Sequence, residues 1–346
     1  MKFSFKPVAH PLSVLFALIV SAPLFCYFSS CSNSPKNEFR EMDGIVWATT
    51  FHIVYQADRD FSDSIMATMK EIEESLSLFK EGSLTDLVNK SQQHDIDSHF
   101  LNVYNESKRV NAYSGGLFDP TISPLINAWG FGKGHIATAD TMRLDSLLRI
   151  CGIARTHLEG MRIYKDDPLI QFNFSAVAKG YGADCVGSML KRNGVENYLV
   201  EIGGEIKTSG RNRQGEYWHI SIDYPSEDGN PSHNSIWMLN LSGHGLATSG
   251  NYRNVQTGKS GRYGHTISPL DGRPLQSDVI SASVAAPTCM EADAAATACM
   301  AVGSARALEI CDSLDYGVLL VLSDFTVLHN APLEWMTSQD SKRYER

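Results

Sequence analysis

The chain has 346 residues, 43% of them hydrophobic, and a formal net charge of −9. That length and apolar content support one large domain, or two intimate ones, around a sizeable buried core. The acidic balance excludes wholesale nucleic-acid binding, which needs a basic stripe, but leaves room for a phosphate held locally by a metal or by backbone amides. Of the seven cysteines, Cys26 and Cys31 lie near the N-terminus. The other five, Cys151, Cys185, Cys289, Cys299 and Cys311, form no CxxC pair and are odd in number. They point to neither a zinc site nor a disulfide framework, and most read as small buried hydrophobes.

The N-terminus reads as an export segment. Lys2 and Lys6 supply positive charge, and an apolar run over 14–28 is broken by Pro23. The run is too short and too interrupted to favour a spanning helix. It ends in Phe28-Ser29-Ser30-Cys31. Small residues before a Cys resemble the lipobox of bacterial lipoproteins, with Phe28 standing where Leu is usual. That resemblance implies a signal peptide over 1–30, cleavage before a lipidated Cys31, and a flexible polar tether over 31–41. It also implies a lipid-anchored protein on the periplasmic side of a bacterial membrane. An ordinary secretory signal is the alternative.

Further along, β-branched and aromatic residues over 45–55 predict a strand. Ile65, Met69, Ile72, Leu76 and Phe79 recur at helical spacing over 61–79. Ser98 is the expected cap of a second helix with Leu101, Tyr104 and Val110 inward. Residues 114–132 are dense in Gly, Pro and aromatics, which is not linker chemistry, and predict an ordered loop. A short helix over 140–150 and one or two strands over 163–174 follow. Ser175 is expected to begin a helix, and 198–202 to be a buried strand. Residues 217–224 and 236–241 read as antiparallel strands around a polar insert, and 279–286 as a buried strand stopped by Pro287. Thr288 with Glu291 three residues on is a capping box that starts an Ala-rich helix. A helix over 305–314 and a last core strand over 316–322 complete the domain, expected over 42–336 before a polar tail at 337–346. Strands and helices interleave without regular βαβ spacing, so the fold class is α+β.

Five Gly-rich or polar clusters punctuate this core, at 114–121, 173–181, 201–210, 247–254 and 264–274. Gly203-Gly204 at a strand end lets a backbone approach a ligand closely. Ser175 to Gly180 places free helix amides beside Lys179, which suits a phosphate, or else is a capped helix with a solvated Lys. Residues 247–252 read as a polar turn. His265 is the one His in such a loop. On the Ala-rich helix Asp293 and Thr297 are four residues apart and share a face. A carboxylate and a hydroxyl there can hold a hard cation such as Mg2+. The alternative is a buried helix with a solvated Asp and a back-bonded Thr.

These clusters occur in order: Thr49-Thr50-Phe51, Gly115-Gly-Leu-Phe-Asp-Pro-Thr121 with Trp129-Gly-Phe-Gly132, Ser175-Ala-Val-Ala-Lys-Gly-Tyr181, Val200-Glu-Ile-Gly-Gly-Glu205, Ala247-Thr-Ser-Gly-Asn-Tyr252, His265 to Pro274 and Ala292-Asp-Ala-Ala-Ala-Thr297. The set resembles the FAD:protein FMN transferase (ApbE-type) family over roughly residues 40 to 335. The resemblance implies a fold of mixed or antiparallel sheets flanked by helices. It implies transfer of FMN from FAD onto a threonine hydroxyl of a target flavoprotein, with AMP released. Targets by resemblance are Nqr- or Rnf-type subunits. By position it assigns Mg2+ to Asp293, Thr297 and the Ala176 carbonyl, and FAD contacts to Phe79, Leu117, Phe118, Asp119, Lys179, Gly203, Gly204 and Ile267. His265 is assigned to proton handling beside Asp293 as the catalytic pair. The chain departs from the family in three places. Trp47-Ala48-Thr49 replaces Met-Gly-Thr, Asn173 replaces an Asp, and Ala296 replaces a second metal-helix Asp. Trp47 is then expected to stack on the flavin, and Asn173 to bond by its amide. Asp293 is expected to be an unpaired carboxylate in an apolar interior, so that its loss spares the fold or stabilises it. An FAD pyrophosphatase and a non-enzymatic FAD-binding lipoprotein remain as alternatives.

Overall fold

The computed structural model describes residues 37–131, 141–225, 235–250, 255–258, 261–264 and 266–330. The expected export segment, Cys31, His265 and the tail over 337–346 lie outside the described residues.

The described chain opens with a hairpin, β1 (Glu38–Val46) and β2 (Thr49–Ala57), where the pattern predicts a single strand over 45–55. Val46 pairs with Thr49, so Trp47 and Ala48 alone make the turn. Both hold positive φ, 51° and 61°. Two-residue hairpins need this left-handed geometry and usually take it from Asn-Gly. Neither residue here advertises it, which is why the turn is not legible. Because β1 starts at Glu38, ordered structure also reaches into the segment expected to be a tether.

α1 (Ser62–Leu76) buries Ile65, Met69, Ile72 and Leu76 on one face, as the spacing predicts. It ends before Phe79, which is 75% exposed. α2 (Leu84–Asn89) and the short β3 (Gln93–Asp95) lead to α3 (Ser98–Tyr113). Its cap is Asp97, not Ser98: the Asp97 carboxylate accepts from the Phe100 amide at 2.8 Å. α4 (Ser123–Ala128) and α5 (Thr141–Leu148) follow. β4 (Thr156–Glu159) and β5 (Arg162–Lys165) pair beside β3 in a small sheet, so that of the strand or strands expected over 163–174 only 163–165 are a strand, and 166–174 leave the sheet at the Asp166-Asp167-Pro168 break. α6 runs Ala178–Arg192.

The remaining elements are β6 (Tyr198–Ile202), β7 (Glu205–Ser209), β8 (Trp218–Asp223), β9 (Ser235–Leu241), β10 (Gly245–Gly250), β11 (Val255–Gly258), β12 (Gly261–Gly264), β13 (Val279–Ala286), α7 (Cys289–Val302), α8 (Ser304–Ser313), β14 (Gly317–Leu322) and β15 (Val327–His329). Two expectations change here. Residues 247–250 belong to a core strand, not a polar turn, because Thr248 and Ser249 pair with β13. β15, not β14, is the last described strand, and it adds to β14 at the sheet edge.

Eight strands form one sheet in the order β1-β2-β6-β7-β10-β13-β14-β15. Every neighbouring pair is antiparallel, so the fold is α+β. Alternate residues of each strand point to opposite faces. On one face Ile53, Val200 and Ile202 pack with Ile65, Val186 and Leu190 of α1 and α6. There too Ala282 and Val284 pack with Ala292, Ala295 and Ala296 of α7. On the other face Val54, Leu246, Ala285 and Leu319 lie under the β8–β9 hairpin. The alanines of α7 let it lie close to both the sheet and α6. A Cβ on Gly180 of α6 would stand 2.3 Å from the Cys289 carbonyl oxygen. This close seam between α6 and α7 carries the charged side chains described next.

Candidate active site

α6 does not begin at Ser175. Residues 175–177 form a turn, shaped by Asn173, whose Oδ1 accepts from the Ser175 amide at 3.0 Å. The helix starts at Ala178, so Lys179 projects from its first turn. The β6–β7 turn at Gly203 and Gly204 (φ 63° and 95°) passes against it. A Cβ on Gly203 would lie 2.9 Å from Thr49 and 3.3 Å from the Lys179 side chain, so glycine admits both the turn and the lysine stem.

A cleft of about 540 Å³ opens between the β1–β2 turn, the end of α1 and the entry to α6. Its volume suits a small organic ligand, for which about 300–1,000 Å³ is usual. Trp47, Ile72, Leu76, Leu78 and Phe79 supply apolar wall, and Lys80, Ser175 and Lys179 supply polar groups. Trp47 lies on Gly182, where a Cβ would meet its six-membered ring at 2.3 Å. Its indole nitrogen is buried with no partner. The strained turn therefore sits at the cleft wall, where local strain is characteristically found.

Lys179 links the cleft to the seam. Its Nζ donates to Glu205 Oε1 at 2.5 Å and stands 3.8 Å from Asp293 Oδ1. Asp293 Oδ2 accepts from the Gly180 amide at 3.0 Å. Asp293 is 3% and Glu205 4% exposed. Burial and the neighbouring Asp293 charge push the Glu205 carboxyl up to about 8, against the pull of Lys179. Burial raises Asp293 too, against Lys179 and the Gly180 amide. Burial opposes the Lys179 ammonium, but Asp293 and Glu205 outweigh it and hold it above its ordinary range. One ammonium thus serves two buried carboxylates, and the trio carries one negative charge too many unless a proton or a cation joins it. Asp293 is consequently not the unpaired carboxylate the sequence predicts.

These groups fit a small hard cation. Glu205 Oε2 is buried without a partner. One turn from Asp293, Thr297 Oγ1 lies 3.1 Å from Ser249 Oγ. Among the described residues no three His, Cys, Asp or Glu side chains converge on one point. A cation would therefore rely on Asp293 together with hydroxyl and carbonyl oxygens, with Thr297 and the Ala176 carbonyl as the expected partners. Ala176 lies in the turn that precedes α6, four residues before Gly180.

The expected site residues fall into two groups. Trp47, Phe79 and Lys179 line the cleft, Asp293 and Gly203 adjoin Lys179, and Gly204 follows Gly203 in the turn with open space around it. The others stand behind the wall. Phe118 is 4% exposed in a core with Phe174, Val177 and Tyr181. Asp119 accepts from the Thr121 hydroxyl and amide and from the Ile153 amide. The Asn173 backbone N–H donates to the Pro120 carbonyl, tying that segment to the α6 entry. Leu117 is partly buried. Ile267 is buried in a satellite core with Leu125 and Leu144, beneath a loop held by the Trp129 indole, which donates to the Gly272 carbonyl. Sequence reasoning missed Glu205 as a site residue. Its one signal is a carboxylate directly after Gly203-Gly204. It also missed Asp184, which accepts from the Cys289 and Met290 amides and so fixes the start of α7 on α6.

The family model of ApbE matches residues 47–321. A relative from Vibrio cholerae, called FAD:protein FMN transferase, is 33% identical over 294 residues, 81% of this chain and 86% of its own. One of the same name from Haemophilus influenzae is 29% identical over 88% of this chain and 92% of its own. Among solved structures, the flavin transferase ApbE from Vibrio cholerae superposes with a TM-score of 0.76 at 32% identity, over 86% of this chain and 98% of that one.

Proposed function

We propose that this chain, which belongs to the ApbE family, transfers FMN from FAD to a threonine hydroxyl of a target flavoprotein and releases AMP. The observation that carries this reading is the continuity of an apolar cleft with Lys179, whose ammonium is shared by buried Glu205 and Asp293. A planar, apolar ligand with an anionic bridge matches that sequence of surfaces.

In the reaction the acceptor oxygen attacks the phosphorus on the FMN side. The phosphoanhydride bond breaks, AMP leaves with the electron pair, and the hydroxyl proton must be removed. Little covalent chemistry falls to the protein, so positioning and charge stabilisation dominate. Trp47, Leu76 and Phe79 hold the ring and exclude water along the cleft. Lys179 places positive charge at the cleft end nearest the two carboxylates. Asp293, Thr297 and the Ala176 carbonyl are the residues that would hold Mg2+. When bound, that cation supplies charge against the phosphoanhydride oxygens. His265 takes the acceptor proton in this reading.

A lipid on Cys31 and a place on the periplasmic side of a bacterial membrane complete the proposal. The support is the apolar run that ends in Ser29-Ser30-Cys31. Nqr- or Rnf-type subunits are the acceptors suggested by resemblance. The test incubates the protein with FAD, Mg2+ and a threonine-bearing acceptor peptide. Covalently fluorescent peptide with stoichiometric AMP is expected. AMP without labelled peptide would make the chain an FAD pyrophosphatase, and neither product would make it an FAD-binding lipoprotein.

A further inference from the structure

α7 and α8 fold back on each other around Gly303 (φ 81°), and two cysteines meet where they touch. Cys299 Sγ of α7 lies 3.7 Å from Cys311 Sγ of α8. Both side chains belong to one apolar cluster and are 1% and 0% exposed. The remaining described cysteines are otherwise engaged. Cys289 Sγ faces the Leu246 carbonyl at 3.8 Å, Cys185 hydrogen-bonds Tyr181, and Cys151 bonds the backbone at Leu125. Among the described residues none of the three has another cysteine sulphur against it, whereas the Cys299 and Cys311 sulphurs already face each other across the α7–α8 contact.

We infer that Cys299 and Cys311 form an intrachain disulfide when the chain folds in contact with a disulfide donor. The step is a thiol–disulfide exchange. The two thiols lose two electrons and form one S–S bond, while the donor's S–S bond breaks and takes both protons as two thiols. Because both sulphurs are buried once α8 is seated, the exchange takes place before α8 closes on α7. The bond then encloses a short loop around Gly303 and restricts the unfolded chain. It ties α8 to the part of α7 just beyond Thr297. A bridge of this kind is invisible in the sequence, because the spacing matches no familiar framework and the cysteine count is odd.

The test refolds the full chain with oxidised glutathione, and in parallel with dithiothreitol. Free thiols are blocked under denaturing conditions before and after reduction, and peptides are mapped by mass spectrometry. In the oxidised sample the peptides bearing Cys299 and Cys311 are expected to be linked, with Cys151, Cys185 and Cys289 blocked before reduction. The oxidised protein should melt about 5 °C or more above the reduced one. Cys299→Ser and Cys311→Ser should each abolish the linked species and the response to dithiothreitol. Cys299 and Cys311 both blocked before reduction in the oxidised, correctly folded protein would overturn the inference, as would a bridge that uses any other cysteine.

Discussion

Lys179 Nζ donates to Glu205 Oε1 at 2.5 Å, while Glu205 Oε2 is buried with no partner. Burial first, and then the field of Asp293, push this half-satisfied carboxyl up to about 8, far above its ordinary 4.5, so Glu205 keeps its proton through neutral pH. Between those values the native protein binds a proton that the unfolded chain has released. Stability of the metal-free protein must then fall as pH rises through that window. Asp293, raised as well, adds in the same direction. The expected loss is about 1.4 kcal/mol per pH unit, on the order of 4 kcal/mol between about pH 5 and about pH 8, or roughly 8–12 °C in melting temperature. Glu205→Gln should flatten the profile. Melting curves in a chelator from about pH 5 to about pH 8 read this directly, and a parent profile as flat as the variant's would contradict the shared-ammonium account.

Gly180 and Gly182 test the α6 seam separately from the cleft wall. A Cβ on Gly180 would press on the Cys289 carbonyl at 2.3 Å and on Asp293 Cβ at 2.8 Å, both fixed by α7. Gly180→Ala should destabilise by about 2–4 kcal/mol, because backbone must move. A Cβ on Gly182 meets the far edge of the Trp47 ring instead. Gly182→Ala should cost less stability, about 1 kcal/mol, and displace the indole into the cleft. Melting temperature and FAD affinity together distinguish them. Equal destabilisation with unchanged affinity would mean that Trp47 does not form the wall.

Much of this fold can be read from residues alone. Residues 279–286 are continuously apolar, and Thr288 with Glu291 announces α7; the observed capping box has both reciprocal bonds. What cannot be read is what tertiary contact decides. The β1–β2 turn uses Trp47 and Ala48, with no Gly or Asn to mark it. β10 looks like a polar turn because Thr248 and Ser249 spend their hydroxyls on Ser283 and Thr297, partners far away in sequence. The site divides the same way. Asp293 and Lys179 were legible from spacing and family pattern, but their pairing with each other, and the part of Glu205, depend on α6 lying against α7.

Two phenylalanines separate cleft from core. Phe79 is 75% exposed on the cleft rim, and Phe118 is 4% exposed among Phe174, Val177 and Tyr181. Phe79→Ala should leave the melting temperature within about 1 °C while weakening FAD binding about tenfold, since an aromatic contact is worth about 1 kcal/mol or slightly more. Phe118→Ala should lose about 3–5 kcal/mol of stability through its cavity. Flavin fluorescence titration beside thermal melting provides both readouts. Phe79→Ala with parent affinity would remove the rim from the binding surface.

Asp293 joins the seam to the chemistry, and three substitutions resolve its contributions. On the proposed reaction, negative charge grows on the phosphoanhydride oxygens, so a cation held at Asp293 and Thr297 would lower the barrier more than it stabilises bound FAD. Asp293→Ala should therefore slow single-turnover FMN transfer at least about 100-fold, with partial rescue by excess Mg2+. Thr297→Val should do the same more weakly, since a hydroxyl brings no charge. The effect on stability depends on pH. Removing the carboxylate leaves the Gly180 amide without its acceptor, a cost of about 1–3 kcal/mol. It also removes the repulsion that raises Glu205, a gain felt only where Glu205 would otherwise be forced to ionise. Asp293→Ala should thus melt below the parent near pH 5 and approach it near pH 8. Asp293→Asn keeps an acceptor for Gly180 and lacks the charge, so it should match the parent near pH 5 and exceed it near pH 8, while remaining inactive. Transfer at the parent rate and parent Mg2+ dependence in Asp293→Ala would make α7 a structural helix and nothing more.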